Sequence, residues 1–184
     1  MESKKLILIG VVIAIVVIGA GYWYFTTSQK LPWLFKGAYA KYYGETTVLF
    51  IPVKLNVRLE VLDFNSTHAK LLMYAKLETP FGSHEYQDVG WSDLTKKTYK
   101  IEGAILKKSY EQEVYLEGIG VRKCNVYEYQ SKTEPKSLMI MYVDKEVVWP
   151  IKIKYTTEAT KMMPSMSLDL NLVESNIPGL KKGK

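Results

Sequence analysis

A mainly β protein hung on one N-terminal transmembrane helix is the fold class that three observations predict. Residues 54–61 (KLNVRLEV) alternate apolar and polar without a break, which is the period of a strand with one wet face. Similar short segments recur toward the C-terminus, parted by turn residues, and fourteen tyrosines suit half-buried pleated surfaces. The third observation is the run Leu6–Phe25 (LILIGVVIAIVVIGAGYWYF), which carries no charge and no proline. At about 1.5 Å of helical rise per residue it spans roughly 30 Å, the thickness of a bilayer's hydrocarbon core.

A cleaved secretory signal has an apolar region of about 7–15 residues followed by small residues. Gly19-Ala20-Gly21 supplies small residues, but the run here is longer and closes in Tyr22, Trp23, Tyr24 and Phe25. Amphipathic rings of that kind sit at headgroup level, so the segment reads as an uncleaved anchor. Lys4 and Lys5 flank its start, whereas residues 26–29 are uncharged and only Lys30 is basic. The positive-inside bias then puts residues 1–5 in the cytoplasm and the rest of the chain outside a cell membrane. The expected organisation is a span over 6–25, a juxtamembrane linker over 26–36, an extracytoplasmic β domain over 37–177 and a basic tail over 178–184. The formal net charge of +6 owes part of its excess to Lys181, Lys182 and Lys184 in that tail, which is expected to be solvated.

Within the domain the strands follow one another with legible turns. Ala38–Tyr43 and Thr47–Ile51 read as one long strand bent near Gly44, or as two short ones. Leu55, Val57, Leu59 and Val61 form the apolar face of the next strand, and Asp63-Phe64-Asn65-Ser66-Thr67 is turn chemistry. Ala69, Leu71, Met73, Ala75 and Leu77 alternate in turn, which predicts an antiparallel hairpin. Phe81–Gly90 reads as a loop, and Ser92–Lys97 as one helical turn. Gln112–Glu117, Arg122–Gln130, Leu138–Val143, Ile151–Tyr155 and Ser167–Leu172 are strand-length segments rich in β-branched and aromatic residues. Gly118-Ile119-Gly120, Thr133-Glu134-Pro135, Asp144-Lys145 and Met163-Pro164 separate them. The pattern suits a single curved antiparallel sheet, a half-barrel, with a β-sandwich as the alternative.

The chemistry-bearing residues are few, and no enzyme is expected. His68 beside the Asn65 turn and His84 in the Phe81–Gly90 loop stand in no metal-ligand spacing, so no metal or cofactor is expected. No nucleophile elbow, P-loop or dinucleotide fingerprint occurs. Basic and acidic residues are interspersed, which argues against nucleic acid as a partner. Cys124, the one cysteine, excludes an intramolecular disulfide and reads as a small buried hydrophobe. Asn65-Ser66-Thr67 is a glycosylation sequon, which an outside location would allow.

Trp91-Ser92-Asp93, the segment Tyr115–Tyr129 (YLEGIGVRKCNVYEY) and Met141–Lys152 (MYVDKEVVWPIK) carry a resemblance. Their turn-and-strand pattern resembles that of lipoprotein-carrier-like, outer-membrane lipoprotein-sorting-like proteins over about residues 91–152. The resemblance implies a half-barrel whose concave apolar face holds acyl chains or another hydrophobic ligand. Two functional readings follow. In the first, an anchored domain binds a lipid or other apolar ligand near the membrane, and Leu55, Val57, Leu59, Leu71 and Met73 line the site. Leu138–Val143, apolar on both faces, and the adaptable thioethers of Met162, Met163 and Met166 suit that reading; a central strand covered on both sides would look the same. In the second, the chain is a non-catalytic structural or interaction subunit of a cell-envelope complex, which meets a protein partner through a sheet edge.

Overall fold

Residues 31–48, 51–94, 103–132, 136–159 and 165–181 are described in the computed structural model. The expected transmembrane helix and residues 1–5 lie outside them, as do residues 26–30 of the linker, Met162 and Met163, and residues 182–184 of the basic tail. Among the described residues no helix is long and apolar enough to cross a membrane.

Nine strands make up the fold: β1 Tyr39–Val48, β2 Ile51–Phe64, β3 His68–Thr79, β4 Gly82–Asp93, β5 Ala104–Leu116, β6 Gly120–Ser131, β7 Ser137–Asp144, β8 Pro150–Thr157 and β9 Met166–Ser175. All belong to one sheet in the order β4-β3-β2-β1-β9-β8-β7-β6-β5. Every neighbouring pair is antiparallel. One open antiparallel sheet therefore replaces the sandwich alternative. The chain lays down β1 to β4 outward from the middle, passes between Leu94 and Gly103 to the opposite edge, and returns through β5 to β9. The two edge strands, β4 and β5, run in the same direction because seven strands alternate between them.

The alternation read in the sequence decides the registers. Leu55 faces Leu77, Val57 faces Ala75, Leu59 faces Met73 and Val61 faces Leu71. A slip of one residue would turn the whole row toward solvent. The same face continues through Ala40 and Tyr42 of β1. Beyond the β1–β9 pair it runs on through Leu168 and Leu170, Ile153 and Tyr155, then Met139 and Met141. These residues are buried and belong to one connected core. Near its end β7 is buried on both sides: Met139, Met141 and Val143 on the core face, Tyr142 and Asp144 on the other, where they lie opposite Val126 and Cys124.

Several elements differ from the sequence reading. The expected loop Phe81–Gly90 is the greater part of strand β4, and His84 stands in that strand. Ser92 and Asp93 close β4 instead of opening a helical turn. β4 is an edge strand with little of either face buried, so no apolar period marks it. β5 likewise begins at Ala104, well ahead of Gln112, because Ile105–Glu113 is exposed on both faces. β1 runs unbroken through Gly44 to Val48, and Ile51 already belongs to β2. The segments at the two ends of the domain are also more deeply involved than a linker and a solvated tail would be. Trp33 and Leu180 are fully buried.

At Gly44 the backbone of β1 comes hard against β9. A Cβ there would lie 2.4 Å from the Asp169 carbonyl oxygen and 2.9 Å from Leu170 Cδ2. Backbone cannot yield as a flexible side chain can. Gly44→Ala is expected to destabilise the chain by about 1–3 kcal/mol through overpacking, read as a lowered urea midpoint. An unchanged midpoint would show that the two strands are free to separate at this point.

Candidate binding face

The five residues singled out by alternation come together. Leu55, Val57 and Leu59 lie on β2 and Leu71 and Met73 on β3, all on the core face, and none is more than 7% exposed. Ala69 and Ala75 between them keep that stretch of β3 low, since each side chain stops at Cβ. On β4, Ser92 faces Ala69, Gly90 faces Leu71, Asp88 faces Met73 and Tyr86 faces Ala75. The apolar face thus ends at the β4 edge in the small or polar Ser92, Gly90 and Asp88, with Tyr86 packed against the core. Ser92 is fully buried, and its hydroxyl has no hydrogen-bond partner among the described residues.

An aromatic lock closes the other flank of the core. The Trp33 and Trp149 rings meet edge to face with centroids 5.1 Å apart, within the preferred range for such pairs. Trp149 Nε1 donates to Tyr42 Oη over 2.6 Å, and Tyr42 Oη donates to the Pro150 carbonyl over 2.8 Å. Trp33 and Tyr42 are thereby tied to Trp149 and Pro150, more than a hundred residues along the chain, by one ring contact and two hydrogen bonds inside apolar packing. Sequence reading treated Trp33 as linker. Its signal was present in the apolar cluster Leu31, Trp33, Leu34 and Phe35.

What aims Trp149 is the turn from β7 to β8. Asp144 Oδ1 accepts from the backbone N–H of Glu146 and of Val147, at 2.9 and 2.8 Å. Val148 N–H donates to the Asp144 carbonyl, and Val148 adopts φ of 54°. A β-branched residue in the left-handed region is uncommon and is held there only by its surroundings. Arg122 reaches from β6 to grip the Asp144 carboxylate at 2.6 and 3.1 Å, and its side chain is only 16% exposed. The fork also meets Glu146 at 2.9 Å.

Next to this pair, burial pushes the Cys124 thiol up to about 12, with the Asp144 charge adding to the rise and Arg122 opposing it. At neutral pH the group stays a thiol, so it behaves as the buried hydrophobe expected. Asn65 is exposed in the β2–β3 turn, where its Oδ1 accepts from the backbone N–H of Thr67 and His68 at 2.9 and 2.7 Å. Thr67 Oγ1 lies 2.8 Å from His68 Nδ1. Among the described residues no group of His, Cys, Asp or Glu is arranged to hold a metal ion.

Two surface clefts are also present. One of about 380 Å³ lies at the ends of β6 to β9, lined by residues including Gln130, Lys136, Leu138 and Thr156. The other, about 190 Å³, lies at the β1–β2 hairpin and includes Thr46, Pro52 and Val53. Neither is lined by the five predicted residues.

No protein-family model matches the sequence, and no curated protein does. Among solved structures the chain is similar to a domain named for outer membrane lipoprotein sorting from Vibrio parahaemolyticus. That likeness has 10% identity, a TM-score of 0.30, and covers 78% of this chain and 86% of the other. It is similar also to a DUF1329 family protein from Desulfovibrio piger, at 10% identity and a TM-score of 0.24 over the same shares. The first of these is the kind of protein that the sequence pattern resembles. At such TM-scores neither the fold nor the function rests on them.

The Arg122–Asp144 pair yields a test of the lock. Breaking a buried pair by removing one partner typically costs about 3–5 kcal/mol, because a charge is left uncompensated. Arg122→Met should therefore lower the stability of the chain by that order in urea titrations. Arg122→Met combined with Asp144→Asn should be less damaging than Arg122→Met alone, since the amide keeps the turn and leaves no buried charge. A double variant weaker than the single one would refute this role for the pair.

Proposed function

We propose that the chain is a membrane-anchored module that binds a lipid or another elongated apolar ligand outside the membrane. In this reading the sheet curves into a half-barrel around its apolar face, with Leu55, Val57, Leu59, Leu71 and Met73 against the ligand. The observation that carries the proposal is the single open sheet with one continuous apolar face. A sandwich covers that face with a second sheet, and here all nine strands belong to one. Sealing β4 to β5 would require one parallel ladder in a sheet that is otherwise antiparallel throughout, which keeps both edges of the sheet open in this reading. Exposed apolar side chains lie on both edge strands: Val89 and Trp91 on β4, and Ile105, Leu106, Tyr110 and Tyr115 on β5.

The anchor of the proposal is Leu6–Phe25, which would hold the domain within reach of the bilayer from which an acyl chain comes. A ligand entering by the edges would displace the contacts that bury the five side chains in the ligand-free protein. Met73 suits such a place, because an unbranched thioether re-packs against different shapes. The interaction-subunit reading draws on the exposed edges themselves.

A diazirine-bearing fatty acid, photolysed with the full chain in membranes, distinguishes the two readings. The binding reading expects labelled peptides spanning Leu55–Leu59 and Leu71–Met73, with labelling competed by unmodified fatty acid. Labels confined to Leu6–Phe25 would report only contact between the anchor and lipid and would reject a site in the domain.

A further inference from the structure

The chain has five asparagines, and four of them are held in the sheet or at its seam. Asn56 lies in β2, Asn125 in β6 and Asn171 in β9, all half-buried. The Asn176 side chain bonds the Tyr39 N–H and the Gly37 carbonyl. Asn65 alone is exposed, in the turn between β2 and β3. It is also the one asparagine that stands in an Asn-x-Ser/Thr triplet, Asn65-Ser66-Thr67. Such a triplet is an acceptor for N-linked sugar only where it lies on the surface. Here the one triplet falls on the one exposed asparagine.

The turn leaves the relevant atom free. Asn65 Oδ1 accepts from the backbone N–H of Thr67 and of His68, at 2.9 and 2.7 Å, and from Thr67 Oγ1 at 3.1 Å. The Asn65 N–H donates to the His68 carbonyl over 2.8 Å. Every bond that Asn65 gives the turn therefore uses its backbone or Oδ1, and Nδ2 makes none among the described residues. An amide oxygen keeps its lone pairs when a substituent is placed on the nitrogen. The turn can carry a bulky group on Nδ2 without giving up a contact, and the exposed Ser66 and Thr67 beside it leave that group in water.

We infer that Asn65 is a glycosylation site that carries an oligosaccharide on Nδ2. The donor class is an oligosaccharide joined through its anomeric carbon to a lipid-borne phosphate. Nδ2 bonds to that carbon, the carbon–oxygen bond to the phosphate breaks with its electron pair on oxygen, and one Nδ2 proton passes to a base of the transferase. Nothing is oxidised or reduced. The inference rests on the outside location in the proposed function, and on no ligand of the apolar face.

The full chain, purified from membranes of the organism that encodes it, is to be cut with trypsin and its peptides weighed. The peptide Leu59–Lys70 should carry a sugar mass that fragmentation places on Asn65. Asn65→Asp keeps the oxygen that organises the turn and removes the nitrogen, so the sugar should be lost completely. Thr67→Val, similar in shape but without the hydroxyl, should lose it as well, whereas Thr67→Ser retains the triplet and should keep it. A Gln87→Cys chain, treated in spheroplasts with a membrane-impermeant maleimide, reports the location separately, since Gln87 is exposed and Cys124 is buried. Labelling of intact spheroplasts together with a bare Leu59–Lys70 peptide would overturn the inference and leave the location standing. Labelling only after the membrane is opened would overturn both. A sugar that persists in Asn65→Asp would sit on another residue, and the assignment would fail.

Discussion

The pairing of β1 with β9 is the constraint on which the rest of the structure depends. The chain forms two meanders, β1 to β4 and β5 to β9, and only this pair joins them into one sheet. Four residue pairs carry its register, from Ala40 opposite Ser175 to Tyr43 opposite Asn171, with an irregularity after Lys41. Gly44 continues the approach by having no side chain to hold the strands apart. The Asn176 side chain completes the seam: its Oδ1 accepts from Tyr39 N–H, and its Nδ2 donates to the Gly37 carbonyl. On the outer face Lys41 and Tyr39 both reach Glu174, which holds that carboxyl below its usual range, Lys41 contributing first. The proposed binding face follows from the seam, because it unites the rows of β2 and β3 with those of β7 to β9.

A second set of contacts ties the ends of the domain to that seam. Tyr42, on β1, holds both the Trp149 indole and the Pro150 carbonyl, and Trp149 packs on Trp33. Trp149 can point inward only because the turn before it is fixed by Asp144, Arg122 and the left-handed Val148. Gly179, at φ of 86°, brings the last described residues against Val147, so Leu180 is buried beside the same turn. The segment that leads from the proposed anchor is thereby packed into the domain through Trp33.

Legibility in the sequence tracked burial on one face. β2 and β3 alternate cleanly because one side of each is in the core and the other in water, so Leu55, Val57, Leu59, Leu71 and Met73 were placed on a common face from period alone. β4 and the first half of β5 were missed for the same reason in reverse. Both faces of an edge strand are exposed, and neither Ser83–Val89 nor Lys107–Glu113 carries an apolar period. Which strands are neighbours is a matter of pairing over more than a hundred residues, as between Ala40 and Ser175, and no local pattern encodes it. The Tyr42–Trp149–Trp33 cluster was hidden likewise. Its members are each ordinary core residues, and their meeting is produced by the seam and the Asp144 turn together.

Amide hydrogen exchange on the intact chain tests the central claim most directly. Amides in the middle of a cooperative sheet exchange at the slow, global end, whereas edges open locally. If β1 and β9 join one sheet, the amides of Ala40–Tyr43 and Asn171–Glu174 that are hydrogen-bonded across the seam should be among the slowest, with those of the outer edges of β4 and β5 the fastest. Destabilising conditions should release both meanders together. Seam amides that exchange as fast as the edges, or a β5–β9 meander that stays protected while β1–β4 exchanges, would contradict the account.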